Sequence, residues 1–107
     1  MDVRITTRHV DIGEGFAEYA DERTRKLAKF DPRLAVVDLI FDEDHGQFST
    51  EARAEVPGAP VMVAKAEHDS KRKALDSALD KLGRQLKRER SKRVDHQAPS
   101  ASAIIEE

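Results

Sequence analysis

Between Phe48 and Val56 the residues Phe48, Thr50, Ala52, Ala54 and Val56 alternate strictly with Ser49, Glu51, Arg53 and Glu55. A period of two is that of a β-strand with one buried face and one wet face. Leu34 to Phe41, an apolar run rich in β-branched residues, predicts a strand before it, and Val61 to Glu67 predicts one after it. The connections DEDHGQ and PGAP hold turn-forming residues, so these three strands are expected to form an antiparallel meander. A shorter β-favouring run, Val3 to Thr7, predicts a strand at the start.

Two other stretches switch to helical spacing. Phe16, Tyr19, Ala20, Leu27 and Phe30 give one apolar face to a helix that Asp11 or Gly13 could cap. Glu14 and Glu18 suit its positive end, and Asp31-Pro32 ends it, because the residue before a proline is pushed out of the α region. Leu75, Ala78, Leu79, Leu82 and Leu86 form the stripe of a second helix, expected over about Ser70 to Arg93. The expected order is β-α-β-β-β-α, an α+β fold with both helices on one face of a four-stranded sheet. Residues 1–93 read as one domain. Residues 94–107, polar and rich in small residues, read as a disordered tail or the start of a truncated linker.

Composition narrows the class. The chain has 107 residues, no Trp, one Tyr and four Phe, so its core must rest on aliphatic side chains. The lack of Cys excludes disulfides, thiolate metal sites and cysteine nucleophiles and suits the cytoplasm. No apolar run approaches the roughly 20 residues that span a bilayer, and MDVRITTRHVD has no apolar centre of a secretory signal. A monomer away from membranes is expected.

Charge changes the picture most. The chain carries 19 basic and 21 acidic side chains, yet half of DKLGRQLKRERSKR (Asp80 to Arg93) is Lys or Arg. Residues 1–70 hold 9 basic against 15 acidic groups, while residues 71–93 hold 10 against 3. At about 100° per residue, Lys73, Lys81, Arg84, Arg88 and Lys92 fall opposite the leucine stripe. A solvated helix face would show the same arrangement. Against that, only Asp76, Asp80 and Glu89 are available as partners, and Lys71, Arg72 and Lys73 oppose the helix dipole. The helix also runs seven residues past Leu86 without an apolar face. On the first helix, Arg23, Lys26 and Lys29 follow i, i+3, i+6 along one flank. If the helices lie parallel, this flank and the second helix form one basic surface suited to RNA phosphates. The aromatics fall in the core pattern, so recognition of folded, largely A-form RNA by shape and phosphate is expected.

Catalytic and metal readings are weak. His9, His45, His68 and His96 are scattered, no nucleophile-base pair or phosphate-cradling glycine loop is present, and no cofactor is implied. Asp42, Glu43, Asp44 and His45 carry oxygen and imidazole ligands, but a solvated acidic hairpin is the simpler reading. Gly83, in the middle of a helix, suggests a close approach of another element.

HVDIGEGFAEYADERTRKLAKF resembles the opening helix of the ribosome hibernation promoting factor and ribosome-associated inhibitor family, and ALDSALDKLGRQLKRERSK resembles its second helix. The resemblance covers about residues 3–93, with DKLGRQLKR its most specific part. It implies a β-α-β-β-β-α fold similar to double-stranded-RNA-binding domains. It also implies binding to the small ribosomal subunit at the decoding region, across the A and P sites and the mRNA channel. There, family members silence and protect idle ribosomes in stress or stationary phase. The matching basic positions are Arg23, Lys26, Lys29, Lys81, Arg84, Lys87, Arg88 and Arg90, with Lys73 and Lys92 added from the helical wheel. The chain departs from the family at Gly13, where many members have a capping Thr. It departs again at SKRKALD, where the family is largely apolar. Long members add a C-terminal domain that pairs ribosomes, so this chain reads as a short form or the N-terminal domain of a long one. The alternatives are a stand-alone double-stranded-RNA-binding module, or a regulator that sets its basic helix on an acidic protein.

Overall fold

A computed structural model describes residues 1–97, and residues 98–107, most of the expected tail, lie outside the described residues. The elements follow the expected order: β1 (Asp2–Arg8), α1 (Glu14–Arg25), β2 (Val36–Asp44), β3 (Gln47–Glu55), β4 (Met62–His68) and α2 (Lys71–Gln97). The four strands form one sheet in the order β1-β2-β3-β4. β1 pairs parallel to β2, with Ile5 opposite Leu39, and α1 makes the crossover that parallel neighbours require. β2, β3 and β4 form the antiparallel meander.

Turn chemistry sets the registers. His45 and Gly46, between paired Asp44 and Gln47, both have positive φ (53° and 80°), the pattern of the tight primed hairpin turn. After β3, Ala59 N–H donates to the Val56 carbonyl (3.0 Å) with Gly58 at φ 83°. Proline then glycine at the centre of such a turn is the type II preference.

Side-chain size decides how the layers stack. On the covered face β2 contributes Val37, Leu39 and Phe41, whereas β3 and β4 contribute Ala52, Ala54, Ala64 and Ala66. α2 packs on β3 and β4, so small sheet residues let the fully buried Leu75, Leu82 and Leu86 come close. α1 packs against β1 and α2, and its Phe16 meets Phe41 edge-on at 5.7 Å between ring centres. Both helices therefore cover the same face, and the opposite face stays wet.

Two helix ends differ from expectation. α1 stops at Arg25 and tightens into a 3₁₀ turn, Lys26–Lys29, closed by Phe30 N–H to the Leu27 carbonyl (2.9 Å). α2 continues to Gln97, four residues past the expected end at Arg93. Val94 to Gln97 contain neither Gly nor Pro, and the first helix-breaking residue is Pro99. At the start of α1, Gly13 is the N-cap with φ 77°, a conformation disfavoured for side-chain-bearing residues, and Asp11 Oδ1 accepts its N–H at 3.0 Å. Here the backbone itself calls for the glycine.

Candidate nucleic-acid interface

The two helices run parallel, as successive contacts along them show. Tyr19 Oη donates to Asp76 (2.8 Å), Arg23 Nε reaches the same carboxylate (3.3 Å), and further on Phe30 lies over Gly83. A Cβ added at Gly83 would stand 3.0 Å from the Phe30 ring, so the glycine allows this approach.

Parallel packing turns the two basic flanks into the walls of one groove. Arg23, Lys26 and Lys29 stand on one side, Arg84 and Lys87 on the other, around a cleft of about 330 Å³. Its floor is apolar, formed by Leu27, Phe30 and Leu79 with Gly83. The 3₁₀ turn contributes directly, because its three residues per turn bring Lys26 and Lys29 into line. Lys29 Nζ lies 5.2 Å from the centre of the Phe30 ring, a cation–π contact that holds the ammonium at the groove edge.

The other expected site residues lie outside the groove. Arg88, Arg90 and Lys92 are exposed on the distal part of α2, and Lys73 is exposed near its start. Lys81 is on the opposite flank, where its Nζ donates to the Lys65 carbonyl (2.9 Å). Gln85 beside it donates to the Val63 carbonyl (2.9 Å). These two side chains occupy outward carbonyls of the edge strand β4 and blunt it against a further strand. Arg23 is likewise half committed, to Asp76 and, at 3.9 Å, to Asp80. Among the described residues, Lys26, Lys29, Arg84, Lys87, Arg88, Arg90 and Lys92 have no carboxylate within salt-bridge distance, and Asp76 and Asp80 pair with Arg23.

Two features correct the sequence reading. Lys71 and Arg72 are held locally: Lys71 Nζ donates to the Ile12 carbonyl (3.2 Å) and lies 5.1 Å from the Phe16 ring centre, and Arg72 stacks 4.7 Å from that of Tyr19. Aromatic neighbours offset their poor match to the helix dipole. The stretch past Leu86 is also not without a contact. Arg93 stands seven residues beyond Leu86, where the leucine stripe would next face inward, and its guanidinium pairs with the carboxylate of Asp31. Burial disfavours the charged form of Asp31. The Arg33 N–H and the Arg93 guanidinium, with Arg90 nearby, outweigh it and hold the carboxyl below its usual range. The i+7 spacing from Leu79 through Leu86 to Arg93 was the available signal for this anchor.

At the far end of the sheet, His9 Nδ1 meets Asp42 (3.1 Å) and His45 Nδ1 meets Asp44 (2.7 Å), both at the surface. Among the described residues, no three His, Asp or Glu side chains converge to hold a metal ion. No helix there is long and apolar enough to cross a membrane.

Residues 3–94 match the family described as Sigma 54 modulation protein / S30EA ribosomal protein. The chain belongs to this family. A ribosome hibernation promoting factor of Pseudomonas putida is 33% identical over 92 residues, covering 86% of this chain and 89% of that protein. One from Azotobacter vinelandii is 32% identical over 97 residues, covering 91% of this chain and 90% of that protein. The fold is shared with a ribosomal subunit interface protein from Coxiella burnetii, with a TM-score of 0.79, 23% identity and coverage of 85% of this chain and 99% of that one. Membership of the family and its β-α-β-β-β-α architecture agree with the sequence reading.

Proposed function

We propose that this protein is a ribosome hibernation factor. It binds the small ribosomal subunit through the α1–α2 face and silences and protects idle ribosomes in the cytoplasm. The supporting observation is the convergence of Arg23, Lys26 and Lys29 with Arg84 and Lys87 on one groove, continued by Arg88, Arg90 and Lys92. Such a strip suits ribosomal RNA phosphates, whose condensed counterions it would release on docking. The relatives' names give the ribosomal context, and the decoding region, with its A and P sites and mRNA channel, is the proposed place. The role is binding rather than catalysis, and one chain per subunit suffices.

Co-sedimentation with small subunits in a sucrose gradient tests this reading. The protein is expected in the small-subunit fractions, and an excess of generic duplex RNA is expected to leave it there. Protein remaining at the top of the gradient would refute ribosome binding. Ready displacement by duplex RNA would favour a general RNA-binding module instead.

A further inference from the structure

The groove between the helices is more than a row of charges. Its floor is apolar: Leu27 and Leu79 beneath are buried in the core, and Phe30, which the sequence pattern also places in the core, is only partly buried and open to the cleft. A phosphodiester backbone has no use for such a floor. At about 330 Å³ the cleft lies at the low end of the roughly 300–1,000 Å³ of small-molecule sites, room for one flat group and not for a duplex. One further group does not fit a pure phosphate site: Asp80, with a 65% exposed side chain, is the carboxylate lining the cleft. It repels phosphate but is a good acceptor for a base edge that offers two adjacent N–H donors.

We propose that the groove takes a single unstacked guanine nucleotide of the bound RNA. The base lies against the open part of Phe30, its N1–H and N2–H donate to Asp80, and Lys26, Lys29, Arg84 and Lys87 hold the flanking phosphates. Guanine fits because its Watson–Crick edge presents two neighbouring donors. Uracil there presents acceptors on either side of one donor, and a carboxylate rejects it. Arg23, which lines the same cleft, lies 3.9 Å from the Asp80 carboxylate. The proposal rests on the reading of this face as an RNA-docking surface and names what the groove itself accepts.

The two contributions have opposite signs at Asp80, which makes the test sharp. Three labelled RNA hairpins of equal length are compared by fluorescence anisotropy: one with a single bulged guanosine, one with a bulged uridine, and one fully paired. The wild type is expected to bind the guanosine bulge roughly tenfold more tightly than the other two, within the range of one stacked base. Asp80→Asn is expected to bring that ratio to about one without weakening binding to the paired hairpin, because only a negative charge is lost. A wild-type preference under about twofold, no binding to any hairpin, or a preference that survives Asp80→Asn would each overturn the proposal. None of these outcomes bears on co-sedimentation with the small subunit, which decides the broader reading by itself.

Discussion

Removing Arg93 should expose how much the distal half of α2 depends on one internal contact. The Asp31 side chain is 2% exposed and that of Arg93 20%, so Arg93→Ala leaves a carboxylate in the interior with, among the described residues, only the Arg33 N–H as hydrogen-bond partner. Breaking a fully buried ion pair costs about 3–5 kcal/mol. The pair here is one-fifth open on the arginine side, and Arg93 Nε has no acceptor among the described residues. We therefore expect a loss of about 2–4 kcal/mol at neutral pH, measured by urea denaturation followed by circular dichroism. The pH dependence carries the diagnosis. In the wild type the folded pKa of Asp31 is lowered, so its contribution is present above the ordinary carboxyl value of about 3.9 and is lost as pH falls through the folded value. In Arg93→Ala, burial, already the largest single influence on this carboxyl, is expected to raise its folded pKa above the ordinary value. The variant's folded state then binds the proton more tightly than its unfolded state and gains stability as pH falls. The difference between the two proteins should be widest at neutral pH and narrow towards about pH 4. A loss below about 1 kcal/mol, as for an exposed pair, or a difference independent of pH would refute the anchoring role.

Three further outcomes are expected. Leu82→Ala removes a fully buried side chain at the contact of α2 with the sheet and should cost about 2–5 kcal/mol; a loss under half of one would mean α2 is not packed as described. Thr50 carries a buried hydroxyl without a hydrogen-bond partner on the core face of β3, so Thr50→Val should raise stability by about 1 kcal/mol in the same urea assay. Arg84→Glu with Arg88→Glu should leave the thermal melt unchanged, weaken small-subunit binding steeply and flatten its log-log salt dependence. Reversal of Glu51 and Glu55 on the open sheet face to Lys should not weaken binding, and equal binding by the arginine double variant would refute phosphate docking.

Elements whose signal is local were legible in the sequence. The period of two through β3, the Pro57-Gly58 turn and the leucine stripe of α2 each depend on residues within a few positions of one another. The groove was half legible: the α1 flank was visible as an i, i+3, i+6 spacing, the α2 cations as a face opposite the leucine stripe, and Gly83 pointed to a close approach. What escaped were contacts between distant residues. Asp31, read as a helix stop, is a buried partner for a residue 62 positions away; the i+7 spacing marks Arg93 as inward-facing, but no local pattern names its partner. Lys81 and Arg84 look equivalent on a helical wheel, yet one bonds the β4 edge and the other lines the groove. The same holds for Lys71 and Arg72, whose aromatic partners lie on α1 and are visible only once the helices are set side by side.

The polarity of charge along the chain becomes a polarity in space through the fold itself. Because the β1–β2 crossover helix α1 and the helix α2 that follows β4 lie on the same side of the sheet, their cations share a face. The outward positions of the strands, including Asp38, Glu51, Glu55 and Glu67, are left on the other. The fold needs this separation less than a docking surface does. A core of this size is met by the inward residues alone, and a solvated helix face is more stable with mixed charges at i, i+4 than with like ones. Here two acids of α2, Asp76 and Asp80, are turned to Arg23 on α1 instead of to the cations of their own helix. That arrangement ties the helices together, while Arg84, Lys87, Arg88, Arg90 and Lys92 of α2 have no carboxylate partner among the described residues. The same pairing, by holding a carboxylate at the groove, gives the basic surface one position at which it can distinguish a base from a phosphate.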